Sequence, residues 1–590
     1  MARIDPHSYT DPDQGVVTTL DLRLSVDFSS RQLSGTARLT LDKAGAGPLD
    51  LDTRALSIAR VTDAAGKTLD YSLADAEGFM GARLTVDRPA AVDQVTIAYT
   101  TSPEASALQW LEPQHTAGKE KPFLFSQCQP HHARSMVPIQ DSPRVRFSYS
   151  AELTVPEPLV AVMSAAPGER KPGAVGQAIY SFAMPQPIPA YLLALAVGKL
   201  ASRELGPRSR VYAEPETVEA AAYEFEAVDS MLREAEGLFG TYAWERFDFI
   251  VLPPAFPYGG MENPRLTFLT PTLIAGDRSL VNVLAHELAH SWTGNLVTNA
   301  TMNDFWLNEG FTVWAERRIL EQLEGEDALA LAAVVGRDAL DSAIKTFGAD
   351  SPYTRLENDL EGVDPDEIYS TVPYEKGFLF VTLLERTLGR TAFDAWLRDY
   401  LEHFNFTSIT TGEFEAYVEK TQPGLLEKVG AEQWLRGPGI PDNAAAYSSK
   451  KLETISELVT ALEKDRTFDP AATAAFSTDE WQLLLERLPR PLPEETCAWL
   501  DQSFELTGSG NSEILCKWLV IAISSNYQPA FDRLRSFLAS VGRMKFLKPI
   551  YKALHETAAT KAMAAEIFET CKEAYHPIAR GGIERILASD

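Results

Sequence analysis

The chain has 590 residues, 45% hydrophobic and 23% charged, too apolar for a disordered polymer and several times the ~100–200 residues of one domain, so roughly two to four folded domains are expected. Lys and Arg total 54 against 82 Asp and Glu, a formal charge of −28 that repels phosphate backbones and anionic lipid and sets nucleic acid and membranes aside as partners. The first residues carry no apolar signal segment, no apolar run approaches the ~20 residues that cross a bilayer, and Cys128, Cys497, Cys516 and Cys571 show no Cys-x-x-Cys spacing; a cytoplasmic monomer without disulfides is expected.

In chain order, Leu20, Leu22, Leu24, Val26 and Phe28 alternate with Asp21, Arg23, Ser25 and Asp27, the period of two of a half-buried strand, and Ala37, Leu39 and Leu41 repeat it. Runs over 95–99, 145–155 and 191–197, set between Pro-rich and Gly-rich turns, extend the pattern to an N-terminal antiparallel β domain over residues 1–203. From about residue 215 the period lengthens towards 3.6. This predicts helices over 218–239, 279–294, 308–323 and 378–388 within a mainly helical domain over 204–440. Two Gly and two Pro from Arg436 onward break the pattern, and a linker is placed at 441–450. Residues 451–590 read as successive helices, near 452–463, 478–488, 514–524 and 531–540, forming a solenoid-like C-terminal domain with no fixed repeat. The whole is a multidomain α+β chain.

The sharpest motif is His286-Glu287-Leu288-Ala289-His290, where a spacing of four puts both imidazoles on one helix face, within reach of one metal ion. Taken alone, the pattern also suits two satisfied helix histidines. After eighteen intervening residues comes Glu309, whose carboxylate completes two His and one Glu, leaving the fourth position of a catalytic zinc site open. Glu316 lies seven residues further on the same face, placed either to orient an imidazole or to meet solvent. Glu287 points roughly a hundred degrees away from its neighbouring ligand, a position that suits a general base. The chemistry these residues point to is metal-assisted attack of water on a carbonyl, with one Zn2+ per chain.

Upstream, Tyr258-Gly259-Gly260-Met261-Glu262-Asn263 couples two glycines that admit close backbone approach to a carboxylate. With His-Glu-x-x-His and the later Glu, this order resembles the gluzincin aminopeptidases of peptidase family M1. A closer resemblance, to the leukotriene A(4) hydrolase branch, covers nearly the whole chain through residues 125–129, 257–264, 364–377 and 542–546.

That resemblance implies a thermolysin-like catalytic domain between the β and helical domains, and short peptides, tripeptides favoured, as substrates. It implies that Glu262 holds the substrate's α-amino group within the Tyr258, Gly259, Gly260 and Met261 segment, with Gln127 and Gln129 beside it. Tyr374 would donate to the oxyanion, Tyr369 would line the pocket and Asp366 would shape the first side-chain subsite. Arg543 and Lys545 would hold the peptide's carboxylate, Lys548 and Lys552 continuing the basic cluster. His131 and His132 have no partner at ligand spacing, and Cys128 has no base beside it; none is assigned a role. Lipid-handling members of the branch carry apolar channel residues where this chain has Glu357 and Asn358, and a Trp where it has Met302, so lipid epoxide hydrolysis stands as the alternative to peptide hydrolysis, together with an inactive peptide-binding relative.

Overall fold

The structure, a computed structural model, describes residues 4–589 apart from residue 281, and leaves the side chains of residues 45, 46 and 90 undescribed. The described N-terminal residues build an eight-stranded sheet in the order Ala166–Pro172, Gln177–Pro189, Arg146–Pro156, Val17–Asp27, Gln32–Thr53, Ala82–Thr100 and Ser57–Asp63, with Tyr71–Leu73 also on Ala82–Thr100. The alternation in the sequence is what this sheet uses. Leu20, Leu22, Leu24 and Val26 are buried on one face while Arg23 and Ser25 face water. The pairings are antiparallel except one, Val17–Asp27 beside Arg146–Pro156, which runs parallel because the strands are joined by a long excursion rather than a hairpin. A second, four-stranded sheet contains Phe123–Ser126, which delivers the chain directly into Gln127 and Gln129.

The central region is richer in strand than its sequence period suggests. Ala201–Gly206, Ser209–Ala213, Phe249–Val251, Thr267–Leu269 and Gly260–Met261 form a five-stranded mixed sheet, with Gly260–Met261 on its edge. Strands of two to six residues are too short to display an alternation, which is why they escape a reading based on period. The segment over 218–239 is two helices, Val218–Glu224 and Val228–Phe239. The helix expected over 279–294 is described as Asn282–Ala289: the chain turns back near Gly294, whose φ of +134° suits glycine.

Helix Trp306–Glu324 is enclosed on nearly all sides, packed against Asn282–Ala289, Glu326–Phe347 and Gly377–Leu388. Its close approach to Gly377–Leu388 depends on two glycines, since a Cβ on Gly310 would stand 2.7 Å from the Cα of Gly377.

In the C-terminal region, Lys450–Asp465, Thr478–Arg487, Ser512–Ser524, Met544–Glu556 and Pro577–Ala588 pack successively, with Phe531–Ser540 and Lys561–Cys571 laid outside them, a two-layer helical array. It has its own core around Trp518, Leu534, Ile550 and Tyr551. All four cysteines are buried and free of disulfides, and no helix among the described residues is long and apolar enough to cross a membrane.

Candidate metal and peptide site

The two histidines of helix Asn282–Ala289 and its C-terminal turn face Glu309, in the first turn of helix Trp306–Glu324. His286 Nε2 and His290 Nε2 are 3.2 Å apart and lie 3.5 and 3.4 Å from Glu309 Oε2. A tetrahedral zinc site with bonds of ~2.0–2.1 Å has ligand-to-ligand edges of ~3.3–3.4 Å, so these three atoms already stand at the corners of one face of such a site. Among the described residues, Glu309 Oε2 is buried without a hydrogen-bond partner, a lone pair aimed into the triangle. The donor set and its spacing fit zinc.

The opposite ring nitrogens are fixed from behind. His286 Nδ1 meets Glu316 Oε2 at 3.0 Å, and His290 Nδ1 donates to the Thr293 carbonyl at 2.9 Å, which sets the tautomer that leaves each Nε2 free. Thr312 Oγ1 donates to the same carbonyl and braces it. Gly294 is required here for space as well as for φ: a Cβ there would come within 2.6 Å of His290 Nδ1.

Glu287 leaves the helix on another side and lies against the edge strand, where a Cβ on Gly260 would stand 2.2 Å from its Oε1. Burial pushes the Glu287 carboxyl up to about 8 against the pull of His286 and His290, and burial likewise raises Glu262, with Glu309 adding to it. Two buried carboxyls beside a third favour positive charge in the cavity between them, the charge that a metal ion and an ammonium group carry.

That cavity, of about 290 Å³, is lined by Glu287, Glu262, Gln129, Tyr258, Tyr374 and Arg543 among others. Tyr374 sits in the π-helical turn Val372–Lys376, its ring stacked on His286 at 6.1 Å and its hydroxyl 2.7 Å from that of Tyr369. Burial raises the Tyr374 phenol well above its ordinary range, which keeps it a proton donor. The turn is anchored by Lys376, whose buried Nζ donates to the carbonyls of Thr354 and Gly437 at 2.9 and 2.8 Å.

Gln129 Nε2 reaches Glu262 Oε1 at 3.4 Å, so these two are together at one end. Gln127 and Met261 do not line the cavity; they pack on each other behind it, Gln127 Nε2 to Met261 Sδ at 3.3 Å. Asp366 also stands outside the immediate lining, paired at 2.9 Å with Nε2 of His132, a residue to which sequence spacing assigned nothing.

At the other end the helical domain meets the site loop through backbone: Met544 N donates to the Pro257 carbonyl at 2.8 Å, and Gly542 packs so tightly that a Cβ would stand 2.4 Å from the Pro254 carbonyl. This delivers Arg543 against Gly259, where a Cβ would be 2.6 Å from its Nη2. Lys545 joins it, and both are held by the buried Glu513, at 3.3 Å from Arg543 Nη1 and 2.8 Å from Lys545 Nζ. No local motif marks Glu513; it becomes visible only when helices Ser512–Ser524 and Met544–Glu556 are side by side. Lys548 lines an adjoining cavity of about 540 Å³ that shares Tyr258, Tyr369 and Tyr374 with the first. Met302, Glu357 and Asn358 line neither cavity, and Glu357 is paired with Arg436 at 2.6 Å.

Comparison with known proteins agrees with this architecture. Residues 6–192 match the peptidase M1 N-terminal domain, 223–434 the peptidase family M1 domain and 476–587 the leukotriene A4 hydrolase C-terminal domain. The chain is 38% identical to leukotriene A-4 hydrolase of Xenopus laevis over 99% of both chains, and 38% identical to leucine aminopeptidase 2 of Yarrowia lipolytica over 99% of this chain and 93% of that one. Its fold superposes on yeast LTA4 hydrolase in complex with bestatin with a TM-score of 0.93 at 32% identity, covering 99% of this chain and 97% of the yeast one. The chain belongs to peptidase family M1, in its leukotriene A4 hydrolase branch. It is thus a hydrolase of the zinc metallopeptidase class, and zinc is the metal that membership implies for the His286, His290 and Glu309 triad.

Proposed function

We propose that the protein is an aminopeptidase that removes the first residue of short peptides, tripeptides above all, using one zinc ion per chain held by His286, His290 and Glu309. The observation that carries this reading is the closed distance set of that triad with Glu262 and Gln129 at one end of the same cavity. Zinc, when bound, supplies Lewis acidity at the site.

The chain's own residues supply the rest. Glu262 binds the substrate's α-ammonium, aided by Gln129, which registers the scissile bond one residue from the amino end and makes the cleavage exopeptidic. Glu287 takes a proton from the attacking water and passes it to the leaving amine. Tyr374 donates its hydroxyl to the oxygen that gains charge, a contribution of ~2.7–4 kcal/mol by comparison with other oxyanion donors. Tyr258 and Tyr369 wall the pocket, Asp366 borders the first side-chain subsite, and Arg543 and Lys545 bind the peptide's carboxylate. In this reading residues 204–440 carry the chemistry, residues 1–203 contribute the amino-end contacts, and residues 451–590, reached through 441–450, close the far end.

The test is mass spectrometry of an unblocked tripeptide and its N-acetylated twin, before and after chelation and zinc restoration. Stepwise loss of the first residue from the free peptide alone, abolished by chelation and recovered with zinc, is the expected result. An untouched free peptide in the zinc-loaded protein would overturn the proposal and turn attention to lipid epoxides.

A further inference from the structure

Away from the catalytic cavity, three residues remote in sequence converge. Asp5, His7 and His131 are 0%, 1% and 5% exposed, and one carboxylate oxygen and one nitrogen from each imidazole all lie within 4.8 Å of one another. His7 Nδ1 is 3.6 Å from Asp5 Oδ1, and His131 Nε2 is 3.9 Å from Asp5 Oδ2, beyond hydrogen-bond reach. The expectation that His131 lacks a ligand partner holds along the chain and fails in space.

The bonding around the cluster is specific. His7 Nε2 donates to the Val363 carbonyl at 2.9 Å, which leaves Nδ1 as the ring nitrogen turned towards Asp5. Asp5 is oriented by the His7 backbone N–H at 2.9 Å and by Ser142 Oγ at 2.7 Å. Among the described residues, His7 Nδ1 and both ring nitrogens of His131 are buried without any hydrogen-bond partner. Buried nitrogens are rarely left so, and two of them, His7 Nδ1 and His131 Nε2, stand by one carboxylate, which calls for a shared partner.

We propose that Asp5, His7 and His131 form a second metal site, separate from the catalytic triad, for a first-row divalent cation. Two imidazoles and a carboxylate are a donor set that suits zinc well. His7 Nδ1 and His131 Nε2 stand 3.6 and 3.9 Å from different oxygens of Asp5, and one ligand atom from each of the three residues lies within 4.8 Å of the others, so a tetrahedral site with edges of ~3.3–3.4 Å is reached when the side chains close in by rotamer adjustment. The role is structural. His131 is two residues past Gln129 and adjoins His132, which holds Asp366, while His7 holds the carbonyl of Val363, three residues before Asp366. One cation ties the N-terminal segment to both loops that border the amino end of the peptide cavity. The inference stands on these residues alone and does not depend on the peptidase reading.

The test is a zinc count on the full chain, stripped with chelator, reloaded with zinc and dialysed, with cobalt(II) absorption as a second readout. Wild type is expected to hold two equivalents, and the His286→Ala/His290→Ala chain one. Adding His131→Gln or Asp5→Asn to that chain is expected to remove the remaining equivalent and the zinc-dependent rise in its melting temperature. No bound zinc in the His286→Ala/His290→Ala chain, or an equivalent that survives both further substitutions, overturns the site. The count on the first of these chains decides the matter even if the His131 variant does not fold, because its N-terminal domain is unaltered.

Discussion

Gly260 and Glu287 are in van der Waals contact through the space that a side chain at 260 would fill: a Cβ there would overlap Oε1 of Glu287 at 2.2 Å. The edge strand and the metal helix are therefore matched at one atom's width, and the direction of the Glu287 carboxylate is set by the backbone of Gly260–Met261. Gly260→Ala is expected to turn Glu287 aside and lower kcat by ~10²-fold, within the range of a lost general base, while metal content stays at the wild-type value. Parallel kcat and zinc measurements check it; an unchanged kcat would mean that Glu287 is not positioned by this contact.

Glu262 is buried beside Glu287 and Glu309, so its carboxylate needs a cationic partner from the substrate. Glu262→Ala is expected to reduce kcat/KM on free-amine tripeptides by on the order of 10²-fold or more and to leave the N-acetylated peptides at their low background. Equal proportional losses on both would remove the exopeptidase argument.

Arg543 reaches the cavity across Gly259 while Glu513 holds it from behind. Arg543→Ala removes one charged hydrogen bond of ~1.5–3 kcal/mol, so KM for a tripeptide with a free carboxylate is expected to rise by ~10–100-fold. The corresponding tripeptide amide should be nearly unaffected, and steady-state kinetics on the pair separates the two. Lys545 remains to neutralise Glu513, so the fold is expected to survive.

Lys376 anchors the turn that carries Tyr374, and burial lowers its ammonium from 10.5 to about 7. Between these values the unfolded chain binds more protons than the folded one, so this group's contribution to stability grows as pH rises from about 7 to 10.5 and is lost as pH falls through about 7. Denaturant titrations of wild type and Lys376→Met across that window are expected to differ in slope, the variant lacking the rise. At the alkaline end of that window Lys376→Met should also be less stable, by ~1–3 kcal/mol for each carbonyl left unpaired. Identical pH slopes would assign the amine an ordinary ionisation.

The parts of the site legible in the sequence are those that one regular element brings together. His286 and His290 are one helical turn apart, and Glu316 shares a face with Glu309, so the 3.6-residue period alone aligns each pair. The long N-terminal strands are legible for the same reason, since a period of two repeats often enough to be seen, whereas the two- to six-residue strands of the central sheet do not repeat it. Nothing local to Tyr374 announces a role, and Arg543 stands out only as part of a basic cluster in an acidic chain, so the function of each is implied by family resemblance alone.

What the order of residues determined by itself is therefore the local chemistry: two imidazoles and two carboxylates at helical spacings, a glycine pair before a carboxylate, and three regions, one of period two and two helical ones divided by a Gly- and Pro-rich break. Tertiary structure alone decided which distant groups meet. It set Glu513 behind Arg543 and Lys545, His132 on Asp366, Gln127 behind rather than within the cavity, and Asp5 and His7 beside His131. Local geometry repeats along the chain and can be counted there, whereas these contacts come from packing separate elements around shared cores, where sequence separation carries no information about distance.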